Sequence, residues 1–462
     1  MATAQATSAE YNIPPSYTTN RRSALLWVSS HAARQWPFLL LALTGAIANA
    51  GLAGVVPVLI GQAFNVVMAA ELDAARLIQI GLLVAGSQTL RAVLQFARNG
   101  SFEMVAQRLE RNVRNELYSS LLGKSMTFHN LQPVGDTMAR ATNDVREINF
   151  MFNPGINLVV GSLMFLFVPI INAPRYHPSL VIAPIVFILA YVIALWQYLR
   201  ELRPITEEVR GSFGALNTRL NEALDGIETV KAASQERGEV MRFGRNVLRY
   251  RDAVVHQGNV EARFLPLLLL AVVTALGLLH ALLLFRQGLL NTGDVVAYFS
   301  LLTLLEFPTF SSLFAYSRIS LGLAGARRIL ELINRENNLD QNISGYDRPM
   351  RGEIEFREVT FAYDGGEKIL DGISFKVQPG QTVAIVGQTG SGKATLVKLI
   401  NRTYDVNAGR VLVDGRDVRD WSLEALRQQI SIIEQDIFLF SQSVADNIAF
   451  GKPGADRQAI ES

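Results

Sequence analysis

Six stretches of the chain are apolar over lengths that few soluble proteins contain. They cover residues 35–70, 77–96, 148–174, 176–199, 264–285 and 295–316. About 20 consecutive apolar residues suffice to cross the hydrocarbon of a bilayer, and the first stretch contains no Asp, Glu, Lys or Arg. The chain is 49% hydrophobic and 18% charged, whereas soluble proteins average about 25% charged residues. We therefore expect six membrane-spanning helices, the first between Phe38 and Gly61.

The basic residues beside these stretches predict the orientation of the chain. Six spans place the N-terminus and the segment after Tyr316 on the same side of the bilayer. The basic residues that flank the first and last spans are Arg21, Arg22, Arg34, Arg318, Arg327 and Arg328. Because such residues accumulate on the cytoplasmic side, we expect a multi-pass protein of the plasma (inner) membrane with both ends cytosolic.

The connections on the cytosolic side are long and have a helical pattern. In each of two of them, apolar residues recur at about four-residue spacing among charged ones, as in an amphipathic helix. These residues are Val105, Leu109, Val113, Leu117 and Leu121, then Leu216, Leu220, Ala223, Ile227 and Val230. Since a 30-residue helix is about 45 Å long, we expect two helical hairpins that project well beyond the lipid headgroups.

The composition changes after the last span. Residues 335–352 are rich in Asn and Asp and are interpreted as a linker. Short β-like runs follow, and we predict strands at 353–356, 360–363, 373–377 and 382–386. The predicted organisation is a cytosolic tail (1–34), a six-helix all-α membrane domain (35–334), the linker (335–352) and a partial α/β domain (353–462).

Residues 381–393 (QTVAIVGQTGSGK) contain an apolar β-like run followed by a glycine-rich turn, which leads into an apolar helical segment. It matches the phosphate-binding loop Gly-x-x-x-x-Gly-Lys, in which backbone amides and a helix N-terminus bind phosphate oxygens and the lysine neutralises their charge. We therefore predict an ATP site. Its predicted residues in this segment are Gly387, Gln388, Thr389, Gly390, Ser391, Gly392, Lys393, Ala394 and Thr395.

One position departs from this motif. The residue after the lysine is ordinarily Ser or Thr, whose hydroxyl binds Mg²⁺, but here it is Ala394. Thr395 follows, yet one step along a helix rotates a side chain by about 100°. We do not expect Thr395 to replace the missing hydroxyl.

Four further motifs carry a resemblance to a known family. Residues 359–363 (VTFAY) contain Tyr363, and residues 433–440 (IEQDIFLF) contain Gln435. Residues 128–145 and 222–232 lie in the two long connections. With the phosphate loop, these motifs make the chain resemble a half-transporter of the ATP-binding cassette (ABC) exporter superfamily, of the multidrug and lipid exporter type. The fold that this implies is a type IV exporter membrane domain followed by a P-loop nucleotide-binding domain.

The resemblance also implies how such a protein works. ATP and Mg²⁺ lie between two nucleotide-binding domains, so the partner is a second half-transporter, either identical or distinct. Tyr363 stacks on adenine, and Gln435 approaches Mg²⁺ and the attacking water. A short coupling helix in each long connection docks on a nucleotide-binding domain. The substrate is a hydrophobic small molecule, drug or lipid exported across the lipid bilayer.

Other family features are absent from residues 1–462. The segment from Glu353 to Ser462 has about 110 residues, less than half of the length that the resemblance implies, and we expect a truncated domain. It lacks the Leu-Ser-Gly-Gly-Gln signature, the Asp-Glu strand end and the switch His. Residues 411–414 (VLVD) resemble that strand end, but Gly415 follows, and an ordinary strand and turn is expected. No catalytic residue is assigned, and we do not expect hydrolysis by this chain alone.

The sequence leaves one main alternative function and argues against several others. A truncated, catalytically silent subunit that only binds nucleotide, or has no function, is the main alternative. The six spans exclude a soluble P-loop enzyme, and a passive channel with a nucleotide-sensing tail has no motif in its favour. A formal net charge of +2 argues against nucleic-acid binding. The absence of Cys excludes disulfides and thiol chemistry.

Two charged residues interrupt the spans. Arg91 lies in the second and Glu306 in the sixth, and a lone charge at the bilayer centre costs about 2.5–3.5 kcal/mol on insertion scales. Each side chain must therefore face protein or water. Glu306 lies near the midplane, either on the wall of a transport cavity that favours cationic or amphipathic substrates, or against a structural partner. Arg91 lies closer to the cytosolic leaflet.

Overall fold

The structure is a computed structural model that describes residues 10–11, 19–335, 339–363, 366–435, 437–452 and 454–461. Nearly half of the predicted tail, part of the linker, Asp436 of the Gln435 motif and Ser462 lie outside these residues. The chain divides into two compact units. The membrane unit comprises Ala32–Leu109 and Glu147–Gly322, and the sheet unit comprises Met1–His31, Glu110–Arg146 and Leu323–Ser462.

Helices make up most of the chain before the sheet. They are α1 (Ala24–Ala33), α2 (Trp36–Val67), α3 (Ala74–Leu122), α4 (Met126–Leu131), α5 (Val134–Ala139), α6 (Val145–Phe150), α7 (Asn157–Asn172), α8 (Ile182–Asp225), α9 (Ile227–Ala232), α10 (Glu236–Ala262), α11 (Leu265–Arg286), α12 (Thr292–Thr303) and α13 (Glu306–Asn334). Short π-helical segments precede α6 and α7, and two 3₁₀ turns lie between α7 and α8.

The prediction of six spans is confirmed. Six helical stretches are long and apolar enough to cross a membrane, namely Trp36–Val67, Ala74–Leu122, Val134–Arg175, Pro178–Asp225, Glu236–Arg286 and Thr292–Asn334. The sixth is interrupted between Thr303 and Glu306, where α12 ends and α13 begins. The interruption coincides with the charged residue that the sequence places in this span.

Small residues allow two spans of the membrane unit to touch at their backbones. A Cβ atom built on Gly61 of α2 would lie 2.4 Å from the carbonyl oxygen of Gly293 in α12. The Gly293 amide donates to Asn65 Oδ1 at 2.8 Å. Glycine is therefore required at both positions, as is common where membrane helices approach closely. Elsewhere in this unit, Tyr298 is buried and its hydroxyl donates to the Leu180 carbonyl at 2.9 Å.

Four of the five residues on the predicted amphipathic face of α3 are buried, and Leu121 is half-buried. Val105, Leu109, Val113 and Leu117 are at most 1% exposed. The corresponding positions in the second long connection are half-buried or exposed. Helix α1 was not predicted, because the sequence assigned residues 1–34 to a tail; its Trp27 and His31 are nonetheless fully buried.

A four-stranded antiparallel sheet organises the sheet unit. Its strands are β1 (Ile354–Phe361), β2 (Leu370–Val377), β3 (Ala408–Val413) and β4 (Arg416–Asp417), in the order β2-β1-β3-β4. Helices α14 (Lys393–Ile400), α15 (Leu423–Gln428), α16 (Val444–Ile448) and α17 (Arg457–Glu461) complete the unit. Phe356, Leu399 and Trp421 are among the residues of its apolar core.

The structure corrects the predicted strands. The first two predicted strands form the single strand β1, and the third corresponds to β2. The fourth prediction, 382–386, is wrong, since no strand forms there and Val386 is 89% exposed. A strand needs a hydrogen-bonding neighbour and cover for its apolar side chains, and this segment has neither among the residues that the structure describes.

Residues around β3 have structural roles. The strand pairs with β1 and β4, and Asp414 follows it with a φ of 50°. Its carboxylate accepts backbone N–H bonds from Arg351, Gly352 and Glu353 at 2.6, 3.0 and 2.9 Å. The prediction that residues 411–414 are an ordinary strand and turn is therefore confirmed. The segment interpreted as a linker also packs here, since Tyr346 lies edge-on to Trp421.

Candidate functional site

The glycine-rich loop leads into α14 through two left-handed residues. Gly390 and Gly392 have φ angles of 85° and 86°, which glycine adopts without steric cost. Gly392 is also packed tightly, because a Cβ atom there would lie 2.8 Å from Leu370 Cδ2 and 2.9 Å from Ile369 Cγ2. The backbone conformation therefore favours glycine at both positions, independently of the motif.

Lys393 is the first residue of α14 and folds back over the loop. Its Nζ donates to the carbonyl oxygens of Gly387 and Gln388 at 3.0 and 2.7 Å. Residues 381–391 are exposed. A positive charge therefore lies over an accessible loop at a helix N-terminus, the chemistry that binds a phosphate group.

Tyr363 and Thr395 are 32 positions apart in the sequence but are brought together by the fold. The two hydroxyl oxygens lie 3.2 Å apart, and Thr395 is buried. The Tyr363 ring is edge-on to Phe361 and Tyr404, with centroids 4.9 and 5.2 Å away. The Thr395 hydroxyl is thus engaged by a tyrosine, and Ala394 offers only a methyl group.

Gln435 is exposed and makes no hydrogen bond to another described residue. Its neighbour Glu434 lies 3.6 Å from Lys398 of α14. The segment with Gln435 therefore reaches the helix that begins at the loop. No hydrogen bond joins Gln435 to residues 387–395 within the described part of the chain.

Two family models match the sequence. The model of the ABC transporter transmembrane region matches residues 39–309, more than half of the chain. The chain belongs to the ABC transporter family. A second model, described as ABC transporter, matches residues 370–462, which include the phosphate loop. The resemblance that the motifs indicated is thereby confirmed.

Curated relatives have the same assignment. An uncharacterized ABC transporter ATP-binding protein of Bacillus subtilis is 29% identical over 88% of this chain and 68% of its own length. An ATP-dependent lipid A-core flippase of Syntrophus aciditrophicus is 30% identical over 83% of this chain and 63% of its own length. The chain thus spans about two thirds of the length of these relatives.

A hydrogen bond joins the first long connection of this ABC transporter chain to the core near Tyr363. In α4, Asn130 Nδ2 donates to the Tyr404 hydroxyl at 2.8 Å. Tyr404 is buried, and its ring contacts that of Tyr363. A three-residue path therefore connects a predicted nucleotide-binding residue to a helix at the tip of the connection.

Lys124 lies just before α4 and is poorly solvated. Burial, with smaller contributions from the charges of Arg21 and Arg335, lowers the pKa of Lys124 from 10.5 to about 8. Its Nζ donates to the carbonyl oxygens of Ile333, at 3.1 Å, and Arg335. The Lys124 ammonium therefore binds the C-terminal end of α13, although its burial removes water from the charged group.

The membrane unit contains a cavity of about 640 Å³. Asn49, Arg91, Gln95, Arg98, Phe165 and Glu306 are among the side chains that line it. Both charged residues singled out from the sequence thus lie on the cavity wall. Sequence reasoning missed Arg98, although its position seven residues after Arg91, two helical turns, was an available signal.

Proposed function

We propose that this chain is an ATP-binding subunit of an exporter that couples nucleotide binding to efflux of a small amphipathic molecule, drug or lipid. The observation that carries the proposal is the phosphate loop at the start of α14 in a chain with six membrane spans. A soluble enzyme would not need the six spans, and a passive channel would not need the phosphate loop.

The loop fits the phosphates of ATP. Gly390 and Gly392 turn the backbone, and Lys393 places its ammonium group among loop carbonyls. A phosphate would provide a stronger partner for this ammonium than neutral carbonyl oxygens do, because it carries the opposite charge. Residues 387–395 and Tyr363 would hold the nucleotide, whose bound phosphates would supply the free energy of domain closure.

Mg²⁺ fits this chain less well. The side chain of Ala394 has no oxygen for a metal, and the Thr395 hydroxyl faces Tyr363. Only the Gln435 amide remains among the predicted ligands, and it is exposed. This observation favours the second candidate function, a nucleotide-binding partner that does not hydrolyse ATP on its own. We derive no metal-dependent step from this chain.

The path from Tyr363 through Tyr404 to Asn130 supports a coupling role for α4. A change in the Tyr363 ring on nucleotide binding would move its packing partner Tyr404, and the hydrogen bond would transmit this movement to α4. Such coupling by rigid elements is the ordinary route of alternating access. It would act in a dimer with a second half-transporter in the inner (plasma) membrane, with the sheet unit in the cytosol.

A nucleotide-binding measurement tests the proposal. We expect the chain in neutral detergent to bind a fluorescent ATP analogue, and Lys393→Ala to weaken binding about tenfold or more, since a charged hydrogen bond contributes about 1.5–3 kcal/mol. Lys452→Ala, at an exposed position outside the loop and α14, is the matched control and should bind as the unmodified chain does. Equal binding by both variants would refute the proposed ATP site.

Hydrolysis separates the two candidate functions. With Mg²⁺ present, we expect near-background turnover from the unmodified chain and from Ala394→Ser, because one hydroxyl does not supply a catalytic carboxylate. Robust Mg²⁺-dependent turnover by the unmodified chain would refute the non-hydrolysing candidate and leave the ATP-driven exporter.

A further inference from the structure

The arginine that sequence reasoning missed is the most unusual residue of the membrane-unit cavity. Arg98 is 4% exposed and lines the cavity. Its Nε has no hydrogen-bond partner, and Nη2 donates only a long bond of 3.4 Å to Asn99 Oδ1. No carboxylate of the described residues pairs with it. A buried, unpaired guanidinium is costly unless another group compensates it.

The fold makes room for this side chain. A Cβ atom on Gly161 of α7 would lie 2.6 Å from Arg98 Nη1, and one on Gly45 of α2 would lie 3.3 Å from Arg98 Cβ. Two helices therefore approach Arg98 at residues without side chains. The guanidinium occupies a recess that any larger residue at position 161 would fill.

A second arginine lies on the same wall. Arg91 precedes Arg98 by two turns on α3, about 10 Å along the axis, and it lines the cavity with its guanidinium 5.7 Å from the centre of the Phe165 ring. It also has no carboxylate partner within the part of the chain that the structure describes. Asn49 extends the polar wall, and its Oδ1 has no hydrogen-bond partner.

The rest of the wall is mixed. Phe307 and Phe310 provide apolar surface, and Glu306 contributes one negative charge. Two arginines against one glutamate leave a net charge of +1 on the wall. The sequence alone left open whether Glu306 lines a cavity for cationic or amphipathic substrates or faces a structural partner, and the cavity has more positive than negative charge.

We infer that the cavity binds an amphipathic molecule through an anionic group, a phosphate or carboxylate, which Arg98 and Arg91 hold at the depth of the cytosolic leaflet. Arginine presents planar donors that match both anions, and the aromatic side chains accommodate the apolar part. That this molecule is a substrate rests on the proposed export function, whereas its binding to the cavity does not.

Binding without nucleotide tests the inference separately from the proposed function. The chain in neutral maltoside micelles is titrated with decyl phosphate, with decyltrimethylammonium of equal chain length and with inorganic phosphate, and binding is followed by native mass spectrometry. We expect decyl phosphate to bind at least tenfold more tightly than the other two. Equal affinity for the two amphiphiles, or binding of inorganic phosphate as tightly as decyl phosphate, would overturn the inference.

Variants assign the binding to the cavity. Arg98→Met should weaken binding of decyl phosphate about tenfold or more, and Arg91→Met, at a half-buried position, provides a second test if Arg98→Met does not fold. Arg286→Met removes an exposed arginine at the end of α11 and should change nothing. Unchanged affinity in folded Arg98→Met or Arg91→Met would also overturn the inference. Loss of ATP binding in Lys393→Ala would leave these results unaffected.

Discussion

The carboxylate of Glu116 on α3 holds the N-terminal segment in place, and its neutralisation should release α1. Four donors converge on it: Thr19 Oγ1 at 3.0 Å, Arg21 Nε at 2.9 Å, Trp27 Nε1 at 3.1 Å and His31 Nε2 at 2.9 Å. Trp27 and His31 are fully buried. The substitution Glu116→Gln keeps the size of the side chain but replaces one acceptor oxygen with an NH₂ group.

The magnitude follows from the two buried donors. Arg21 is about one third exposed, so its ion pair contributes little. Trp27 and His31 bond to the same oxygen, Oε2, and a buried group left without a partner costs about 1–3 kcal/mol. We therefore expect Glu116→Gln to lower the free energy of opening of α1 by about 2–4 kcal/mol, a factor of roughly 30 to 1,000.

Hydrogen–deuterium exchange measures this opening directly. Amide protection in α1 should fall by that factor in Glu116→Gln, while protection in α14 stays unchanged. Tyr118→Phe alters an exposed residue of the same helix and is the control. If α1 exchanges at the same rate in Glu116→Gln and Tyr118→Phe, the reasoning that this carboxylate anchors α1 is refuted.

Two further predictions concern the first long connection. The pKa of Lys124 is lowered to about 8 in the folded chain, so the unfolded chain binds more protons between pH 8 and 10.5. The free energy of unfolding should therefore rise over that window by up to about 3 kcal/mol relative to Lys124→Met. Thermal unfolding of both proteins from pH 7 to 10.5 checks this, and the same pH dependence of stability in both would contradict it. A double-mutant cycle of Asn130→Ala and Tyr404→Phe should give a coupling of about 1 kcal/mol in unfolding free energy; additive effects would show that the hydrogen bond contributes nothing.

The membrane spans were predictable because the bilayer imposes a length and a composition on each one. The phosphate loop was equally predictable from the sequence, because left-handed backbone positions such as Gly392 require glycine. Segments that depend on distant partners were not predictable. Residues 382–386 have the composition of a strand, but pairing decides whether one forms. Helix α1 has a short, weak pattern, and its burial depends on Glu116, 85 positions from His31.

The candidate site was recovered only in part. The motifs placed Tyr363 and Thr395 in one site, but they did not indicate that the two hydroxyls meet, because that contact depends on how the segment after β1 folds toward α14. Arg91 and Glu306 stood out as charges within apolar runs. Arg98 lies just after the predicted second span, 77–96, where a basic residue is common. Its burial depends on Gly45 and Gly161, which lie on other helices.

The glycine contact between α2 and α12 limits how the membrane unit can move. Where Gly61 and Gly293 meet, the two helices are separated by little more than hydrogen atoms, so neither can roll or slide past the other without collision. In a transport cycle, α2 and α12 would therefore move together as one rigid unit. If the chain works as the proposed exporter, the exit for its substrate would therefore open along helix pairs other than α2 and α12.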